Sequence, residues 1–403
     1  MAKRVLIYTN HFFPENFKVN EIASMLSEDG LDVTVITGIP NYPEGKIPEG
    51  YGYFKRRKEF VDGVRVKRLW LIPRGSGSKL RLIINYLSYF ISCLFYTFFI
   101  GVFKKKYDVV FVHHTSPILI AIPPILYKWL RKPKMILWDL DMWPDTLVAL
   151  DIIKSKKLIA ILEGLVKWIY KQYDAVLIGS KSFAEKAKNR VDASKIEYFP
   201  NWAEDVFIEK NSIKPEGNHQ FPDGFKLMYA GNIGEAQDFG NICNAMNLLR
   251  NEDVNWLIVG GGRWFNQLKE KVSNSGLDDK VTYYGNNPLA TMPYFFSQAD
   301  VMFFSLQDKE IFSKTVPAKL QAYMASGKPV IGMISGEGND IIKEASCGIS
   351  VLSGDYESFA DAILQLKSQK ENLQKLGENG SDFYSKYFSK QARKKQLVKL
   401  IQN

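Results

Sequence analysis

The segment FSKTVPAKLQAYMASGKPV at 312–330 has the most specific chemical pattern in the chain. Proline suits the first position of a helix, so Pro317 predicts a helix start, with Thr315 and Val316 leading into it. The first backbone amides of a helix lack internal partners and attract anions, and Lys319 adds a full positive charge at that turn. A diphosphate lodged there would gain dipole, amide hydrogen bonds and a cation together. Gly327 and Pro329 then end the helix ahead of a strand. The plain alternative is a surface helix with an incidental lysine.

Two glycine-rich strand ends precede this segment. YAGNIGEAQ at 229–237 places Gly231, Asn232 and Gly234 between a strand and a helix, and VGGGR at 259–263 brings Gly261 and Arg263 to the next strand end. Glycine lets a backbone approach a phosphate closely, and Arg263 offers a cation to clamp it. Neither loop is Gly-x-Gly-x-x-Gly, so the nicotinamide fingerprint is absent.

Acidic residues gather in the first half. WDLDMWPD at 138–145 has Asp139 and Asp141 two apart, on one face of an extended chain. Such a pair can hold a divalent cation against a diphosphate, orient a hydroxyl or accept its proton, or sit solvated in a loop. The loop TNHFFPEN at 9–16 supplies Glu15 and Asn16; Glu15 is either an acceptor contact or acid, or a carboxylate that stabilises a helix start. His113 and His114 end another strand, and either contacts an acceptor or serves as a structural, hydrogen-bonded histidine.

These residues need strands to present them. Short apolar runs recur at 5–10, 33–37, 66–71, 109–114, 135–140, 175–180 and 196–201, then at 227–232, 256–260, 281–285, 301–306 and 330–334, each followed by a helix-length segment. Runs without polar alternation predict parallel strands covered on both faces. The expected class is α/β with two doubly wound, Rossmann-like parallel-sheet domains facing a cleft, and such sheets bind ligands beyond the carboxyl ends of their strands. The boundaries expected are an acceptor domain at 1–208, a polar linker at 209–224, a donor domain at 225–385, and a basic terminal helix within 386–403 packing back on the first domain.

One stretch does not fit a soluble sheet domain. Residues 83–102, IINYLSYFISCLFYTFFIGV, hold no charge and lie between Lys79/Arg81 and the lysines at 104–106. The length suffices to cross a bilayer. A crossing would separate two strands of one sheet, so the preferred reading is a helix spanning about 80–106 that lies on the bilayer surface. A core helix is the alternative.

The 403 residues suit two domains, and 53 Lys and Arg against 43 Asp and Glu give +10, which favours an anionic partner. Without zinc-finger spacing or a basic arm, nucleic acid is not expected. Three scattered cysteines, Cys93, Cys243 and Cys347, fit a reducing compartment, and the N-terminus has no signal-peptide pattern.

With these motifs in hand, the chain resembles the retaining family-four glycosyltransferases of GT-B fold, and among them bacterial enzymes of O-antigen, capsule and exopolysaccharide synthesis, including N-acetylfucosamine transferases. The resemblance rests on FFPE at 12–15, GIPNYPEG at 38–45, WDLDMWPD at 138–145, YAGNIGEAQ at 229–237 and VPAKLQAYMASGKPV at 316–330. It implies a nucleotide-diphosphate sugar, UDP-linked, bound by the second domain and a polyprenyl-diphosphate-linked saccharide bound by the first. It also implies retention at the anomeric carbon, no metal and no other cofactor, and work at the cytoplasmic face of the bacterial inner membrane. Ser313 and Gln321 stand where the family carries a Glu-x7-Glu pair, and Gln237 where it carries a lysine. Gln321 can still bond ribose hydroxyls, and the diphosphate charge falls to Lys319 with Arg263 or Lys314 assisting. Lys319, Glu15 and Asp141 are the expected catalytic set, with Asn16, His113, His114 and Asp139 near the acceptor; domain closure would keep water out. Two rivals are a non-hydrolysing nucleotide-sugar epimerase, which would need ordered carboxylates and histidine at the sugar, and a non-catalytic assembly subunit, which the altered Glu pair would suit.

Overall fold

A computed structural model describes residues 2–402 apart from Ser76, Lys105, Leu150, Asp151, 210–212 and Asn218. The chain divides into two units, Met1–Phe199 with Arg393–Asn403, and Pro200–Ala392.

The first unit contains β1 (Arg4–Thr9), β2 (Asp32–Gly38), β3 (Lys58–Val61), β4 (Val64–Leu69), β5 (Val109–His114), β6 (Lys134–Asp139), β7 (Ala175–Ile178) and β8 (Ile196–Tyr198). They lie in the order β3-β4-β2-β1-β5-β6-β7-β8, parallel except where β3 turns back on β4. The central strands β1, β5 and β6 are buried at nearly every position, as strands covered on both faces must be. Connections leave β1 in one direction and β5 in the other, so the β1/β5 boundary is a topological switch point.

Three helices matter to the site: α1 (Lys18–Glu28), α2 (Lys79–Phe103) and α3 (Pro123–Arg131). α2 is the expected apolar helix, and its inward stripe is the less apolar one. Asn85, Tyr89, Cys93, Thr97 and Gly101, four apart and so on one face, are buried. The Tyr89 hydroxyl donates to Thr9 O at 2.8 Å, and the Tyr8 and Thr97 hydroxyls meet at 3.0 Å. Outward, Leu80, Ile83, Leu87, Ile91, Phe95, Phe98 and Val102 are exposed. Arg131 of α3 donates to the carbonyls of Gly101, Val102 and Lys104 at the end of α2, which lack helical partners. β4 before α2 and β5 after it share one sheet, so α2 lies along that sheet instead of crossing away from it.

The second unit contains β9 (Phe225–Ala230), β10 (Val254–Val259), β11 (Val281–Gly285), β12 (Val301–Ser305), β13 (Val330–Met333) and β14 (Gly348–Val351). Their order is β11-β10-β9-β12-β13-β14, all parallel, with the switch point between β9 and β12.

The domain boundary differs from the expected one. The segment 209–224 does not separate the units: the chain enters the second unit at Pro200, and the described part of 209–224 folds with it, while 210–212 and Asn218 lie outside the described residues. Aromatic anchoring explains this. Phe207 stacks on Phe296 at 5.3 Å, and Phe221 meets Tyr284 at 5.0 Å. At the other end, residues of the helix Lys390–Gln402 from Arg393 onward belong to the first unit. There Gln396 Nε2 donates to Tyr198 O at 3.0 Å and Lys134 Nζ to Leu400 O at 2.6 Å.

Candidate functional site

In the second unit the two glycine loops lock against each other. Gly231 N–H donates to Val259 O at 2.9 Å, and Ile233 N–H to Gly261 O at 2.8 Å. Gly260 adopts φ 130°, and a side chain there would meet Gly231 O at 2.1 Å, so only glycine fits. Gly231, at φ 134°, leaves room for Lys319: a Cβ on Gly231 would lie 2.8 Å from Lys319 Cε.

Lys319 stands at the second position of the helix Ala318–Ala325. Pro317 comes one place earlier than expected, at the cap, because its extended ψ of 131° sets the entry angle instead of forming the first turn. The lysine ammonium lies 5.1 Å from the Tyr229 ring centroid. Among the described residues it makes no hydrogen bond or ion pair. Burial pushes its pKa down to about 8. A partly desolvated cation beside a turn without side-chain cover is stabilised by any anion that reaches it. Next to it, a cavity of about 310 Å³ is lined by Gly231, Asn232, Val259, Gly260, Gly261, Asn286, Asn287 and Met292.

The other expected donor residues have different occupations. Gln237 Oε1 accepts from Gly234 N–H at 2.9 Å and from Asn232 Nδ2 at 3.3 Å, so its amide closes the loop from within. Gln321 is buried, and its Nε2 donates to Asn201 O at 2.7 Å. Lys314 pairs with Glu310 at 2.5 Å, and Thr315 Oγ1 donates to Phe312 O at 3.1 Å. Val316 is half-buried, and Arg263 is exposed beside the second glycine loop. The structure therefore gathers Gly231, Asn232, Gly261 and Lys319. Lys314, Thr315, Val316 and Pro317 flank that group along the chain.

In the first unit the carboxylates are engaged internally. Glu15 is buried; its Oε1 accepts from the backbone N–H of Asn41 and of Tyr42, both at 2.7 Å. Its Oε2 lies 2.8 Å from His11 Nδ1. Arg74 Nη2 lies 2.8 Å from His11 Nε2, and since arginine only donates, His11 must carry its proton on Nδ1 and give it to Glu15. Asn85 of α2 donates to Asn41 Oδ1 at 3.3 Å, which ties the apolar helix to the same cluster. Asn16 is exposed at the loop tip.

Asp139 and His114 are fully buried and pair at 2.8 Å, and Tyr170 hydroxyl also donates to Asp139. Burial alone would raise the Asp139 carboxyl. The His114 imidazole, the Tyr170 hydroxyl and the Met142 N–H outweigh it and hold the pKa at about 2. These two residues, expected near an acceptor, are internal here: both are fully buried, and Asp139 accepts from His114, Tyr170 and the Met142 N–H. Asp141 is half-buried, and its Oδ2 accepts from Ser116 N–H and Oγ, both at 2.6 Å. His113 is buried and stays neutral, its pKa pushed down to about 3 by burial and by His11 and His114. Its Nδ1 lies 3.0 Å from Thr9 Oγ1 at the switch point.

His11, Asn41 and Arg74 in the first unit and Tyr229 and Asn286 in the second also line these sites, although the motifs do not single them out. The His11–Glu15 spacing of four was a usable signal. Arg74 and Asn286 had none, since only folding brings them in.

Two parallel sheets with switch points, one carrying an unpaired lysine on paired glycine loops, define an α/β protein of GT-B type. Glycosyl transferases group 1 matches residues 212–383, and the glycosyl transferase 4-like domain matches residues 17–202. The chain belongs to the group 1 glycosyltransferases and is a transferase enzyme, with homologues in bacterial surface polysaccharide synthesis. WbjE of Pseudomonas aeruginosa, named as a glycosyltransferase, is 26% identical over 64% of this chain, a match that spans 66% of that relative's length. WcaI of Escherichia coli (strain K12), named for colanic acid biosynthesis, is 24% identical over 80% of this chain and 81% of its own. Among solved structures, sucrose-phosphate synthase from Thermosynechococcus elongatus has a TM-score of 0.72 at 16% identity, covering 100% of this chain and 98% of that one. Anabaena HepE, in complex with UDP and glucose, has a TM-score of 0.67 at 11% identity, with both chains covered in full. These two likenesses are of fold.

Proposed function

We propose that the second unit binds a UDP-sugar and that the enzyme moves the sugar, with retention at the anomeric carbon, to a polyprenyl-diphosphate-linked saccharide. The product enters a bacterial surface polysaccharide. An N-acetylated deoxyhexosamine is the sugar we favour. The reading rests on one observation: the Lys319 ammonium is unpaired, partly desolvated and set against the Gly231 backbone at the head of a helix. The names of WcaI and HepE, a polysaccharide enzyme and a UDP complex, lend it support.

In this reading the diphosphate lies on the backbone of Gly231 and Asn232, with Lys319 countering the charge that grows as the bond to the anomeric carbon breaks. The acceptor oxygen bonds to that carbon from the same face, and its proton passes to the departing phosphate oxygen. The nucleoside occupies the cavity beside Gly261 and Asn286. Glu15 and Asp141 act through the loops they hold, at Asn41–Tyr42 and at Ser116, and the exposed Asn16 beside Glu15 meets the acceptor. No metal takes part, and turnover should survive chelation by EDTA.

The exposed apolar face of α2 rests on the cytoplasmic surface of the inner membrane, where the acceptor's lipid tail is anchored. Lys319→Ala tests the donor site. UDP affinity by calorimetry should fall on the order of 100-fold, with the melting temperature kept, since a buried charge contact to an anion carries roughly 2–5 kcal/mol. Affinity within threefold of the parent would reject the assignment.

A further inference from the structure

The edge of the first sheet bears a group of cations that the reaction does not use. In the antiparallel pair β3/β4, Lys58 stands directly opposite Lys67, and Phe60 opposite Arg65. All four share one face of the pleat. Like charges directly opposite on neighbouring strands destabilise a sheet, yet among the described residues neither lysine has a carboxylate partner. Arg57, the residue before β3, also lacks one: its Nε donates to Arg68 O at 2.7 Å and its Nη1 to Tyr53 O at 2.8 Å. Burial, then the charges of Arg57 and Lys58, lower the Lys67 pKa from its ordinary value.

Aromatic rings surround these charges. Arg57 lies 5.8 Å from the Trp70 ring, which Tyr53 and Phe54 meet edge-on at 5.6 and 5.7 Å. Phe54 is 86%, Phe60 69% and Trp70 47% exposed. A soluble surface gains nothing from large rings held in water, whereas Trp and Tyr beside Lys and Arg are the side chains that settle at a membrane interface. The patch is continuous with α2, because the Lys67 ammonium lies 5.6 Å from the Tyr96 ring.

We propose that Arg57, Lys58 and Lys67 bind the phosphate of an anionic phospholipid headgroup, with Phe54, Phe60 and Trp70 entering the interface beside it. This rests on the membrane reading of α2 and deepens it: the helix supplies apolar burial, and the sheet edge supplies lipid selectivity and fixes the rotation of the helix on the surface. The bilayer lipid, and not the acceptor's diphosphate, is the partner the position favours. Tyr96 is eleven residues beyond Asn85, the α2 residue that touches the Glu15 cluster through Asn41. That is about 16 Å along the helix.

The test is flotation of the full chain with vesicles of phosphatidylcholine alone or with 30% phosphatidylglycerol, at physiological salt. The parent should prefer the anionic vesicles. Lys58→Gln with Lys67→Gln should bind them about 25-fold more weakly, about fivefold per charge removed, and bind neutral vesicles unchanged. UDP affinity, unaltered in the variant, reports that the chain remains folded. Phe54→Ser with Trp70→Ser should weaken binding to both vesicle types. A double lysine variant that keeps its anionic preference overturns the proposal, as does one whose only defect is a raised KM for lipid-linked acceptor in detergent. A parent that floats with neither vesicle removes the membrane reading itself, while the donor site stands or falls on UDP binding alone.

Discussion

The glycine-loop site of the second unit and the acidic loops of the first each set charged residues in segments that follow strands, and the fold treats them oppositely. In the second unit Lys319 makes no hydrogen bond or ion pair among the described residues and lies only over the Tyr229 ring, beside the Gly231 turn. In the first, Glu15 accepts from two backbone amides and lies against His11, and Asp139 takes hydrogen bonds from His114 and Tyr170. A buried charge with all its bonds made stabilises the loop around it. One with none stores an interaction for a ligand.

The strongest challenge to this contrast is Glu15→Ala. It strips a buried imidazole and two buried amides of their acceptor, so stability should fall by about 3 kcal/mol in urea unfolding. Turnover should fall with it, because the 9–16 and 38–45 loops lose their common anchor. Glu15→Gln sharpens the point: if it unfolds like the parent yet is inactive, Glu15 does chemistry and the contrast breaks down.

A pH series tests the other side. Lys319 titrates near 8 in the free protein, below its ordinary range, because burial penalises the charge. A bound diphosphate favours the charged form, so binding takes up a proton once the pH passes about 8. UDP affinity should be level on the acid side of that point and fall by up to about tenfold per pH unit above it. The Lys319→Ala protein should lack this slope, and a parallel slope in that variant would assign the titration elsewhere.

The smallest expected effect is at Gln237. Truncation to Ala leaves the Gly234 amide without its acceptor, with a cost of about 1 kcal/mol in stability and a few-fold loss of UDP affinity as the loop loosens. A loss as large as that of Lys319→Ala would mean that Gln237 touches the ligand directly.

Much of this was legible before folding. The twelve apolar runs correspond to observed strands, because a strand covered on both faces needs apolar residues throughout, and that pattern is local. β3 and β14 were not singled out, as short, partly exposed strands carry little of that pattern. The glycine loops and Lys319 were visible for the same local reason, since backbone approach and helix entry depend on neighbours in sequence. The observed boundary differs from the expected one because the polar stretch 209–224 hides Phe221 and follows directly on Phe207, and their partners Tyr284 and Phe296 lie more than sixty residues away.

The sequence by itself determined two α/β units, the phosphate-seeking turn around Lys319 and the uncharged helix at 83–102. Only the tertiary structure decided which charges are free and which side of that helix meets water. Asn85, Tyr89 and Thr97 turn inward, so Leu, Ile and Phe turn out. Composition counts charges and apolar residues, but whether each has a partner depends on contacts between residues far apart in the chain.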